Sequence, residues 1–200
     1  MKIKSVSKLF TIAAISLSIT FFIACNSNNS SNNNSGDTTM ASMDNDAIPD
    51  TASKAMATIS GTKTDTTVNG TAMFEKDGNE VKMHLELTVP KKANSSVAVH
   101  FHAMSDCGDM GKMAGGHWNP TNENHGKWGT GNFHSGDIGN INLDASGKGT
   151  IDITSNRWTL GGDTTTNIIG KTIIVHSGVD DYKSQPAGNS GERIACGVIQ

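Results

Sequence analysis

Val81-Lys82-Met83-His84-Leu85-Glu86-Leu87-Thr88-Val89 is the stretch that decides the fold class. Val81, Met83, Leu85, Leu87 and Val89 alternate with Lys82, His84, Glu86 and Thr88. A period of two puts every other side chain on one face, the signature of a strand with one buried side. Pro90 ends it, because proline cannot donate to a ladder. His84 falls on the polar face and reads as solvated. Just upstream, Glu75-Lys76-Asp77-Gly78-Asn79-Glu80 reads as the turn of a hairpin to an earlier strand over 71–75. The same reading places strands at 55–61, 97–102, 141–144, 149–154, 172–176 and 194–198, separated by Gly, Asn and Asp turns. The expected class is all-β, a sandwich or flattened barrel. Segments 104–136 and 177–192 resist strand assignment and are rich in glycine. Loops of that length in a compact domain are functional or disordered.

The first 50 residues have a different character. Lys2, Lys4 and Lys8 precede an uncharged apolar stretch over 9–24, which reads as a secretory signal because it is too short for a spanning helix. Phe22-Ile23-Ala24-Cys25 resembles a bacterial lipobox, although Phe22 stands where leucine is usual. Cys25 would then be acylated and become the mature N-terminus. Ordinary cleavage nearby, with Cys25 incidental, is the alternative. Residues 26–50 are Asn- and Ser-rich and carry few large apolar side chains, so they read as a disordered tether. The expected organisation is a signal over 1–24, an acylated Cys25 with its tether over 25–52, and one domain over 53–200, large enough for a core of its own. Such a chain is exported to the periplasm or cell envelope and anchored to a membrane through lipid on Cys25.

Cleavage before Cys25 removes three lysines and no acid, taking the net charge from −3 to −6. That argues against nucleic acid as a partner, since phosphate binding needs clustered Lys and Arg. A small anionic substrate is compatible with it, because the field at a site can oppose the net charge. With Cys25 assigned to the lipobox, Cys107 and Cys196 remain. In an oxidising compartment they most simply form one intramolecular disulfide.

Six of the seven histidines lie between positions 100 and 176. His100 and His102 are two apart in a strand and share a face; alone, such a pair is more often a polar strand face. His117, His125, His134 and Asp137 fall within one Gly-rich loop, and three imidazoles with a carboxylate can complete a tetrahedral zinc shell. Asp137 alone would read as a turn residue. His176 ends the strand over 172–176 and can point toward the His100–His102 strand. Imidazole is the commonest biological ligand of copper and zinc, so the clustering raises a metal site.

With these residues, and with Arg193 three positions before Cys196, the domain resembles a copper–zinc superoxide dismutase of the bacterial exported type. The resemblance runs from about Ala55 to the C-terminus and is strongest after Val97. It implies an eight-stranded Greek-key β-barrel or sandwich, immunoglobulin-like, with two long functional loops. It implies one copper per subunit on His100, His102, His117 and His176, and one zinc on His117, His125, His134 and Asp137, with the imidazole of His117 shared. Asp180 falls where the family has a carboxylate hydrogen-bonded to ligands of both metals. Cys107 and Cys196 match the family's disulfide. Arg193 matches the arginine that guides the anion; alone it would read as a surface ion-pair residue. Arg157, the only other arginine, receives no role.

The implied reaction is disproportionation of two superoxide anions to dioxygen and hydrogen peroxide by alternating copper reduction and reoxidation, with Arg193 and His117 as the catalytic side chains. It would serve antioxidant defence outside the cytoplasm, by a monomer or a homodimer. Segment 177–192 is shorter than the eukaryotic electrostatic loop, and Glu192 beside Arg193 would weaken the pull on an anion. The alternative is a copper- and zinc-holding lipoprotein that stores or delivers metal without turnover. Relatives of that kind often lose a ligand or the guiding arginine, and this chain keeps them all.

Overall fold

The computed structural model describes residues 52–200. The expected signal, the acylation at Cys25 and the tether over 1–51 lie outside the described residues. Eight strands form: β1 Lys54–Gly61, β2 Asn69–Asp77, β3 Glu80–Thr88, β4 Ser96–His102, β5 Gly139–Asn142, β6 Lys148–Ser155, β7 Thr172–His176 and β8 Arg193–Val198. Helical structure among the described residues is limited to two 3₁₀ turns, Pro90–Lys92 and Lys112–Ala114.

All pairings are antiparallel, and the strands follow the order β5-β4-β7-β8-β1-β2-β3-β6. Strands β1 to β3 follow one another as hairpins, the second turning at Gly78 (φ 63°) and Asn79. The chain then crosses to the far side for β4, returns for β6 and crosses again for β7, a Greek-key path. The halves join where β8 meets β1, at Ser60–Cys196 and Gly61–Ala195. At the opposite edge β5 and β6 close on each other. A Cβ at Gly149 would run into the Asn142 carbonyl oxygen, so only glycine lets these edges approach so closely. The result is a nearly closed all-β barrel.

β3 has the alternation its sequence dictates. Val81, Met83, Leu85 and Leu87 point inward at 2% exposure or less. Burying each contributes about 1.5–3 kcal/mol. They pack with Ile59, Phe74, Val99, Phe101, Ile141 and Ile173 in one core.

Three features depart from the sequence reading. The fifth strand runs Gly139–Asn142 rather than 141–144. Asp144 ends it, because its carboxylate accepts from the backbone N–H groups of Ser146 (2.8 Å) and Lys148 (2.9 Å) and so makes a turn. Segment 156–171, to which the sequence reading assigns no element, buries Trp158, Leu160 and Ile168 in the core. Its non-periodic apolar residues plug the barrel rather than line a strand.

His84, expected to be simply solvated, donates from Nδ1 to Asp152 Oδ1 (2.7 Å) and from Nε2 to Glu86 Oε1 (3.2 Å). The hydrogen bond to Asp152, then that to Glu86, raises its pKa above the ordinary 6.5. A raised histidine stabilises the fold fully below its unfolded pKa, and the contribution is lost as pH rises through the folded value. An NMR titration of His84 is therefore expected to show a midpoint above 6.5 and above that of the His84 resonance in the urea-unfolded chain. Equal midpoints would show that the carboxylates do not hold the ring.

Candidate metal centre

β4 alternates like β3, yet it is buried on both faces. Val97, Val99 and Phe101 enter the barrel core, while Ala98, His100 and His102 point outward under a cover of loops. Neighbouring β7 likewise sends Ile173 and Val175 inward and Ile174 and His176 outward, with His100 paired to Ile174. His176 thus lies on the same outer face as His100 and His102, on an adjacent hydrogen-bonded strand.

The long loop after β4 is ordered by that strand. Trp118 N–H donates to the Phe101 carbonyl (2.8 Å), Phe101 N–H to the Gly136 carbonyl (2.8 Å), and His117 bridges antiparallel to His102. The loop doubles back along the edge of β4 and carries its own imidazoles over the face where His100 and His102 emerge. His117 ends in the middle. Its ring centroid lies 4.0 Å from that of His100, 5.0 Å from His102, 5.3 Å from His125 and 5.6 Å from His134.

Two overlapping quartets result. His100, His102, His117 and His176 form one, and His117, His125, His134 and Asp137 the other, with the ligand atoms in each within 4.8 Å of one another. Neighbouring protein acceptors fix which nitrogen faces inward. A carbonyl oxygen can only accept, so His102 Nδ1 carries the proton given to Gly115 O (2.9 Å), and His176 Nδ1 the one given to Gly191 O (3.3 Å). Asp180 accepts from His100 Nε2 with one oxygen and from His125 Nε2 with the other, both at 2.9 Å. One carboxylate therefore orients one ring of each quartet. What remains are buried nitrogens without a hydrogen-bond partner: His100 Nδ1, Nε2 of His102, His117 and His176, and Nδ1 of His125 and His134.

Buried polar atoms left unpaired are costly, and six converging on two points form the donor set that two cations would satisfy. His125 Nδ1 and His134 Nδ1 lie 3.0 and 3.2 Å from Asp137 oxygens without hydrogen-bonding geometry. Neighbouring ligands on a tetrahedral zinc at ~2.0–2.1 Å are themselves ~3.3 Å apart. The donor set is imidazole with one carboxylate, which suits copper in the first quartet and zinc in the second. The residues fit both metals.

Burial also sets the charge states. It pushes the pKa of His102 down to about 2, of His176 to about 3 and of His117 to about 4, and lowers that of His100. All four are thereby held neutral, the form that can ligate. His125 moves the other way. Burial opposes its charge, but the adjacent carboxylates of Asp137 and Asp180 prevail and raise it to about 9. Burial would likewise raise Asp137, and its contacts with His117, His125 and His134 instead hold it below the carboxylate range.

A cavity of about 800 Å³ opens onto the first quartet, lined by His102, His117, His176, Asn189 and Arg193 among others. Arg193 stands at its rim and donates to the carbonyls of Gly111 (2.6 Å), Lys112 (3.4 Å) and Gly115 (2.6 Å). Those carbonyls belong to the loop that the Cys107–Cys196 disulfide ties to β8. Glu192, expected to weaken the pull of the arginine, pairs with Lys63 (3.3 Å) and lines the same small pocket as Arg193.

Residues without any local signal complete the site. Gln185 clips His125 at both ends, accepting from its N–H and donating to its carbonyl, each at 2.9 Å. Asn140 holds the Asp180 backbone the same way, at 2.8 and 2.9 Å. Gly188 (φ 66°) is required because a Cβ there would collide with Asp180 Oδ1 and His125 Nε2.

Comparison with known proteins agrees with this geometry. The family model described as copper/zinc superoxide dismutase matches residues 68–199. A Cu-Zn superoxide dismutase of Podospora anserina is 35% identical over 153 residues, covering 73% of this chain and 96% of that protein. An extracellular Cu-Zn superoxide dismutase of Caenorhabditis elegans is 35% identical over 143 residues, covering 68% of this chain and 63% of that protein. The crystal structure of the clock protein EA4 superposes with a TM-score of 0.63 at 30% identity, covering 74% of this chain and 93% of that one.

Proposed function

The chain belongs to the copper/zinc superoxide dismutase family, it disproportionates two superoxide anions to dioxygen and hydrogen peroxide, and from that premise we propose how its own residues divide the work. His100 Nδ1 with Nε2 of His102, His117 and His176 would hold copper. Nδ1 of His117, His125 and His134 with a carboxylate oxygen of Asp137 would hold zinc. The observation that carries the division is His117, whose Nδ1 faces Asp137 Oδ1 at 2.9 Å while its Nε2 is buried without a partner. Bound copper would supply a one-electron redox couple, and bound zinc a fixed positive charge beside His117.

The chain supplies the rest. His117 Nε2, whenever it is not ligating copper, would hold a proton and pass it to the outgoing peroxide. Asp180 fixes the tautomers of His100 and His125 together, so neither ring can turn its lone pair away. The guanidinium of Arg193 is held by three carbonyls through Nη1 and Nη2, leaving its Nε–H and one Nη2–H to meet a small anion at the cavity mouth. Export and the lipid anchor at Cys25 belong to the same proposal. They are supported by the basic and apolar run before Cys25 and by an extracellular protein among the relatives.

The test is superoxide decay catalysed by the copper- and zinc-loaded chain as ionic strength is raised. Decay is expected to be fast and to slow with salt. Arg193→Ala should lower the rate about tenfold at unchanged copper content, the lower end of the range for electrostatic steering, of which superoxide dismutase is itself a standard example. One equivalent of each metal bound with superoxide ignored would replace the dismutase by a metal-holding protein. An Arg193→Ala rate equal to that of the parent would remove the arginine from the mechanism.

A further inference from the structure

Arg157 lies on the loop between β6 and β7, well outside both quartets, and nothing in the reaction uses it. Its surroundings are nevertheless built. Nη1 donates to Glu123 Oε2 (2.6 Å) and to the Phe133 carbonyl (3.3 Å), and Nη2 to Glu123 Oε1 (3.4 Å). The guanidinium also stacks on the Phe133 ring, 4.3 Å from its centroid. The side chains of Arg157 and Glu123 are 32% and 26% exposed, so the pair is partly shielded and worth more than an open surface contact. Glu123 is itself held on the loop. Its carboxylate accepts from Thr121 Oγ1 (2.7 Å), and its backbone is clipped at both ends by the Asn119 side chain (3.0 and 2.8 Å).

The contact points lie at two places along the chain. Glu123 is two residues before His125, and Phe133 is one residue before His134. One planar cation therefore grips the loop one or two residues before each of the two histidines that belong to the second quartet alone. The next residue continues the grip, since Trp158 Nε1 donates to the Ser135 carbonyl (2.9 Å) and its ring packs between Trp128 and Phe101. His100, His102 and His176, by contrast, sit on strands β4 and β7 and need no such support.

We propose that Arg157 is a positioning residue for zinc: it clamps the two ends of the ligand loop at Glu123 and Phe133 and so keeps His125 and His134 at the spacing the cation requires. The proposal rests on the assignment of His117, His125, His134 and Asp137 to zinc. A fork is needed for this, because a single guanidinium must meet a carboxylate, a carbonyl and a ring face at once, and a lysine ammonium is a point charge. Losing an outer partner of a ligand typically costs roughly 10–100-fold in metal affinity.

The experiment compares the copper- and zinc-loaded full chain with Arg157→Ala, Arg157→Lys and Glu123→Gln. Zinc release is followed with a chromophoric zinc chelator, and copper content is read in parallel. Zinc release is expected to be about tenfold faster or more in Arg157→Ala, comparably faster in Glu123→Gln and intermediate in Arg157→Lys, with copper retained. Zinc release at the parental rate in Arg157→Ala and Glu123→Gln would overturn the proposal. So would parallel loss of both metals, since that is the mark of general destabilisation. A parent chain that binds no stoichiometric zinc would instead overturn the underlying assignment, which keeps the two failures apart.

Discussion

His117→Ala is expected to empty both metal sites together and to reduce dismutation to the level of the chain without its metals. The reason is placement. One side of the ring faces His100, His102 and His176, with Nε2 unpartnered, and the other faces Asp137 at 2.9 Å. Among the described residues, no other belongs to both quartets. Removing an outer partner of a ligand costs roughly 10–100-fold in affinity, so removing a ligand atom from each shell should cost more than that for each metal. The substitution also leaves Asp137, a fully buried carboxylate, with one hydrogen-bond donor fewer, and a buried charge that loses a partner is expensive. Metal content by mass spectrometry, with circular dichroism to show that the barrel persists, decides the matter. Loss of one metal with the other held as in the parent would contradict the shared imidazole.

Reducing the disulfide is expected to have the largest effect on stability. Cys107 and Cys196 are 89 residues apart in sequence. The chain-entropy treatment gives about 4.6 kcal/mol for a loop of this size. For a domain of this length that corresponds to a drop of roughly 10–20 °C in melting temperature. The measurement is thermal unfolding of the metal-free chain with and without reductant, since bound metal would mask the difference by mass action. The bond also fastens the loop whose carbonyls at Gly111, Lys112 and Gly115 hold Arg193. Reduction of the loaded chain should therefore slow superoxide decay as well. A melting temperature indifferent to reductant would show that the bond does not constrain the unfolded chain as the entropy argument requires.

How far such conclusions were open to the sequence differs from element to element. β3 was legible residue by residue, because a half-buried strand must alternate and Val81 to Leu87 do. β5 was misplaced by two residues, because Ile141 and Leu143 alternate as a strand would, while the turn chemistry of Asp144 that ends it involves backbone groups further on. Segment 156–171 carried no period at all, since Trp158, Leu160 and Ile168 plug the barrel from an irregular loop. In the site, the ligand residues stood out by type and spacing. Gln185, Asn140, Glu123 and Arg157 did not, because each acts on a residue at least 34 positions away.

Taken alone, the sequence determined the all-β class, the set of candidate metal-binding side chains and the available cysteine pair. These depend on residue type and on short-range periodicity, which a linear chain displays directly. Only the tertiary structure decided which nitrogen of each imidazole faces inward, that His176 stands on a strand beside His100, that Glu192 pairs with Lys63, and that Arg157 meets both Glu123 and the Phe133 carbonyl. Each of these is a choice among hydrogen-bond partners from distant segments. Burial makes that choice binding, because a polar group removed from water must find its partner wherever the fold has placed one.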